Sequence, residues 1–137
     1  MPRSVTRLGA CLAVLSALAL AGGGLVWASL RIDDLQTRRA LEDFARQVLT
    51  QAREDRWHEV RSVSSRDALE ALGRLQAPQL PLSELLARPL RAGTWIVWIQ
   101  PRGGHELRLE IDDLSWRPLR SPWRKRHFRL VRLERAR

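Results

Sequence analysis

The hydrophobic pattern of this chain changes period three times, and each period predicts a different element. From Leu8 to Leu30 there is no period at all: 23 consecutive residues carry no charge. As a helix rising ~1.5 Å per residue, that run is ~34 Å long, enough to cross a hydrocarbon layer ~30 Å thick. From Arg31 to Trp57 the pattern becomes helical. Leu41, Phe44, Ala45, Val48, Leu49 and Ala52 recur at spacings of three and four, with charged residues between them. Ile32 and Leu35 fall off that stripe. No proline occurs between residues 3 and 77, so span and neck are predicted to form one continuous rod. The stripe Leu41, Phe44, Val48 and Leu49 is the candidate helix-packing face, directed either at the chain's own sheet or at a partner helix.

Beyond Trp57 the periods shorten. Residues 57–63 read as a short strand or a linker. Ser64 with Asp67 three residues on predicts a capped helix running to Gln76, with Leu69, Leu72 and Leu75 inward. Pro78, Pro81 and Pro89 then predict a loop, with one helical turn near Ser83 to Ala87. Thr94 to Ile99 is rich in Thr, Trp, Ile and Val, and His105 to Leu114 alternates with period two. A turn over Arg102 to Gly104 places Ile99 opposite Leu107, Val97 opposite Leu109 and Trp95 opposite Ile111. A slip of one residue would destroy that apolar face. On the reverse face Trp98 meets Arg108, a cation–π pair. Phe128 to Leu133 predicts a third strand, which an isolated hairpin needs for stability. The expected fold class is α+β: a long N-terminal helix packed on a small antiparallel sheet of about three strands. The expected divisions are a basic tail (1–7), a transmembrane helix (8–30), an amphipathic neck (31–57) and a small α+β domain (58–137).

Charge sharpens this layout. The chain holds 24 Lys and Arg against 15 acids, and 23 of the 24 are arginine. Residues 31–76 are neutral overall, whereas 117–137 carry nine basic groups and the single acid Glu134. Basicity therefore belongs to the C-terminal tail. There Trp116, Arg117, Arg120, Trp123, Arg124, Lys125, Arg126 and Arg129 mix cations with aromatics and form the candidate interaction surface. Anionic lipid headgroups suit a tethered basic segment. Nucleic acid would require the tail to be cytoplasmic.

Chemistry is sparse. The only cysteine, Cys11, lies in the apolar run, which excludes an intrachain disulfide or a cysteine metal cluster. His58, His105 and His127 stand in no metal-ligand or catalytic spacing. Gly103-Gly104 precedes a strand rather than a helix and is no phosphate loop. No catalytic residue, metal ligand or cofactor is predicted.

Arg3 and Arg7 followed by an apolar segment, with small residues at Ala19 and Ala21, fit a cleavable secretory signal. The run continues through Leu25, Val26 and Trp27 to Leu30, however, and a full span of this kind predicts a retained anchor. The basic-then-apolar order favours an inner-membrane protein with its C-terminal domain in the periplasm. A membrane helix continued by a neck and a small antiparallel sheet resembles type IV pilins and the pseudopilins of type II secretion. It is also similar to the single-span assembly-platform subunits of those machines. Arg3, Arg7 and Gly9 look like a pilin leader, although Ala10 follows the glycine and Val14 stands where the pilin glutamate would be. The resemblance concerns architecture. It implies a non-catalytic scaffold or interaction protein of the bacterial envelope, with other envelope proteins as partners. The alternatives are a polyanion-binding module acting through the basic tail, and a small secreted protein released after signal removal.

Overall fold

The computed structural model describes residues 3–75, 82–101, 105–118, 120–121 and 123–135. Three helices precede four strands. Helix α1 spans Arg3–Arg53, α2 Trp57–Ser62 and α3 Arg66–Arg74. Strands β1 (Leu82–Arg91), β2 (Thr94–Pro101), β3 (Leu107–Asp113) and β4 (Phe128–Arg135) form one antiparallel sheet in the order β1-β2-β3-β4.

The 51 residues of α1 make one rod of ~76 Å, uninterrupted at Gly22, Gly23 and Gly24. Its two halves meet different surroundings. The apolar half stands clear of the core: Leu12, Leu18, Leu20 and Leu25 are all more than half exposed. The neck half lies on one face of the sheet, where Leu41, Ala45, Val48 and Leu49 are at most 1% exposed. Full burial of Leu41, Val48 and Leu49 contributes roughly 5–9 kcal/mol, at about 1.5–3 kcal/mol each. Net stability for a domain this size is about 5–15 kcal/mol, so the neck belongs to the core and is not an appendage. The stripe therefore covers the chain's own sheet. Ile32 and Leu35, off the stripe, stay exposed. Asp55, at φ 58°, ends the rod and turns the chain into α2.

The sheet's inner face is built from Trp95, Val97, Ile99, Leu107, Leu109 and Ile111, all buried. The β2–β3 register pairs Ile99 with Leu107, Val97 with Leu109 and Trp95 with Ile111, as alternation requires. On the outer face the Arg108 guanidinium lies 5.5 Å from the Trp98 ring centroid. The turn over 102–104 is outside the described residues.

Three expectations need correction. First, Leu82–Arg91 is a strand, not a loop with a helical turn, so the sheet has four strands instead of three. Proline removes a donor from a ladder but is tolerated on an edge strand, and β1 is an edge. Its ladder is also irregular between Pro89 and Arg91. Second, residues 57–62 are helical. Third, α3 begins one residue later than expected. Ser65, not Ser64, is its N-cap, its Oγ accepting from the Ala68 N–H at 3.2 Å. The shift has a tertiary cause. Ser64 bridges to Leu130 of β4, and backbone bonds Ser65 N–H to Leu130 O and Leu130 N–H to Val63 O flank it. The Ser65 hydroxyl also donates to the Val131 carbonyl at 2.6 Å. There β4 has a register shift opposite Glu110/Ile111. The irregularity lets Leu130 and Leu133, three residues apart, both point inward.

Candidate functional site

The basic segment between β3 and β4 does not hang free. It folds back on the neck through two of its arginines. Arg120 is 8% exposed. Its Nε donates to Asp33 Oδ1 at 2.9 Å, one Nη to Asp113 Oδ2 at 2.6 Å and the other to Thr37 Oγ1 at 2.8 Å. Arg126 reaches the same two neck residues, donating to Asp33 Oδ1 at 2.6 Å and to Thr37 Oγ1 at 2.9 Å. Thr37, one helical turn beyond Asp33, accepts from both guanidinium groups, and its hydroxyl donates to the Asp33 carbonyl at 2.7 Å. The result joins α1, the end of β3 and the tail in one charge-balanced cluster of two arginines and two aspartates.

Local structure sets each member in place. Asp113 ends β3, and its carboxylate also accepts from the Ser115 N–H and hydroxyl, an Asx-type turn that reverses the chain. The Leu114 N–H donates to the His127 carbonyl, closing the base of the 114–127 loop. Trp116 lies on Gly93, whose φ of 75° serves the two-residue β1–β2 turn. A Cβ on Gly93 would stand 3.4 Å from Trp116 Cβ.

Burial opposes the charge on Arg120, but hydrogen bonds and attraction from Asp33 and Asp113 outweigh it and hold the guanidinium above its ordinary pKa. Fixed geometry suits arginine here, since a planar fork serves several acceptors at once. Such a cluster specifies an arrangement more than it adds net stability.

The other candidate residues face outward. Trp123 is 77% exposed and Trp116 41%. Arg117, Arg124 and Lys125 are exposed, and Arg129 lies on β4 opposite Asp112. So the eight candidate interaction residues divide into two inward anchors, Arg120 and Arg126, and a solvent-facing set. Sequence reasoning missed Asp33, Thr37, Asp113 and Ser115. Nothing local marks them: Asp33 and Arg120 are 87 positions apart.

An open groove of about 680 Å³ lies beside this cluster, between α1, α2 and residues 124–128. Phe44 and Phe128, with ring centroids 5.6 Å apart, line it together with Asp43, Gln51, Glu59 and Lys125. Glu59 is occupied by Gln51 and Arg56. His58, His105 and His127 are exposed. Among the described residues, no group of three or more His, Cys, Asp or Glu side chains could hold a metal ion.

No family model, curated protein or solved structure matches this chain.

Proposed function

We propose that this chain is a single-pass, non-catalytic assembly or interaction protein of the bacterial inner membrane, its domain on the periplasmic side. The observation that carries this reading is the division of α1. Among the described residues one helix is long and apolar enough to cross a membrane, and none of its apolar window is buried in the fold. The same helix continues as a neck fixed to the sheet. A charge-free apolar rod exposed to water over 23 residues would be costly, and insertion into lipid removes that cost. Trp27 and Arg31, with the guanidinium 6.0 Å from the ring centroid, suit the interface where the rod emerges. The rigid neck would hold the domain at a set height and orientation, which suits a platform for other envelope proteins. The long helix plus small antiparallel sheet is compatible with a pilin-like layout, and a role in secretion- or pilus-type assembly is the finer form of the proposal.

Two measurements test it. Full-length protein should stay in carbonate-washed membranes, and release to the soluble fraction refutes the anchor. In mild detergent it should purify as an oligomer or with envelope partners. A monodisperse monomer with no partner refutes the assembly role.

A further inference from the structure

The cluster at Asp33 fixes the height of the 114–127 loop relative to the apolar run, and this has a consequence for what the loop meets. Asp33 is three residues past Leu30, hence ~4.5 Å further along the helix axis. A bilayer's polar layer is about 5–7 Å deep on each side. Arg120 and Arg126 both end on Asp33. Residues 120 and 126 are therefore held within one arginine side chain of the headgroup level. Resting on the proposed membrane anchor, we infer that this loop is a lipid-facing skirt that binds the anionic headgroups of the membrane the helix crosses.

Its exposed residues have the matching composition. Leu114 is 64% exposed, Trp116 41% and Trp123 77%. Two tryptophans and a leucine open to water at one end of a small domain need a cover, and tryptophan prefers the interfacial layer. Among them stand Arg117, Arg124 and Lys125, all exposed. Residues 114–127 contain no acid. Arg120 and Arg126 are balanced by Asp33 and Asp113, so Arg117, Arg124 and Lys125 are the exposed cations of the loop, beside Arg31 on the helix; Arg124 and Lys125 also border the groove along α1. Exposed cations between aromatics, on a segment tied to the helix just past its apolar run, suit phosphate headgroups. A helix tilt of ordinary size towards the loop, about 20°, lowers it further into that layer.

The full chain in bilayers tests this, in a Cys11→Ser background with one spin label. Labels go at Ser121→Cys in the loop, Val14→Cys in the apolar run and Arg53→Cys, about 30 Å beyond Asp33. Depth is read from collision rates with oxygen and with a neutral nickel chelate. Two bilayers are compared, phosphatidylcholine alone and a mixture of roughly 3:7 phosphatidylglycerol to phosphatidylcholine. The expected result is Val14 in hydrocarbon, Arg53 in water and residue 121 at headgroup depth. The nickel collision rate at 121 should be about twofold lower in the anionic bilayer. Arg124→Glu with Lys125→Glu, which leaves Arg120 and Arg126 intact, should remove that difference. If residue 121 is aqueous in both bilayers while Val14 is in lipid, the skirt is overturned and the anchor stands, leaving a protein as the cover for these residues. Equal depth in the two bilayers overturns the choice of anionic lipid. A label at Val14 outside lipid overturns anchor and skirt together.

Discussion

Removing the Arg120 side chain is the most direct test of how neck, sheet and loop are joined. Arg120 and Asp113 side chains are 3% and 0% exposed, against 20% for Asp33. In Arg120→Ala, Asp33 keeps Arg126 as a partner. Asp113 keeps only the Ser115 N–H and hydroxyl and loses its cation. The cost is thus dominated by one buried, uncompensated carboxylate, about 3–5 kcal/mol. At about 4–5 °C per kcal/mol, the melting temperature should fall by roughly 12–25 °C. Arg120→Lys should lie between, because an ammonium cannot reach Asp33, Asp113 and Thr37 together. Asp113→Ala combined with Arg120→Ala should cost less than the sum of the singles by about 2 kcal/mol or more. The assay is urea unfolding of the full chain in detergent, followed by near-UV circular dichroism, which reports tryptophan packing in the domain instead of helix content in the apolar run. The sign of the pH dependence follows from the raised Arg120 pKa. Its contribution is complete below the unfolded value and is lost only as pH rises through the still higher folded one. The Arg120→Ala difference should therefore be equal at neutral pH and at pH ~10. A loss under about 1 kcal/mol, or additive singles, would refute the reasoning.

Other outcomes follow from single contacts. Ser65→Ala removes both the α3 cap and the bond to the Val131 carbonyl, and urea unfolding should show a loss of about 1–2 kcal/mol. Gly93→Val forces a side chain onto a positive φ and against Trp116; a melting curve should show a loss of at least about 1–2 kcal/mol. Leu109→Ala empties a site with no solvent exposure and should cost about 2–5 kcal/mol, whereas Arg66→Ala, on the solvent face of α3, should stay within about 0.5 kcal/mol. Ala19→Arg, near the middle of the apolar run, should raise the carbonate-extractable fraction, since a central cation costs about 2.5–3.5 kcal/mol on insertion.

The strength of the local pattern decides how much of this fold is legible in the sequence. The β2–β3 register is forced residue by residue because only one alignment of Trp95, Val97 and Ile99 with Ile111, Leu109 and Leu107 keeps all six on one face. The rod is legible because nothing between Arg3 and Arg53 breaks a helix except four glycines. Strand β1 is not, because Pro89 and its neighbouring prolines signal a loop, and only an edge position makes a proline strand acceptable. The cap at Ser65 instead of Ser64 is likewise decided by β4, which takes Ser64 for its own edge. In the basic segment the sequence shows composition alone: eight cations and aromatics in a row of equal standing. The fold separates them into anchors and exposed groups.

By itself, then, the amino-acid order determined where apolar surface lies and with what period, and thereby the rod, the neck stripe and the hairpin. Those are near-neighbour properties, set by backbone geometry and the cost of exposing hydrocarbon. The tertiary structure alone decided which charges meet. A buried arginine is stable only where carboxylates converge on it, and while Asp113 is seven residues from Arg120, Asp33 reaches it across 87 positions of the chain. No local period encodes that convergence, because it exists only once the neck lies along the sheet.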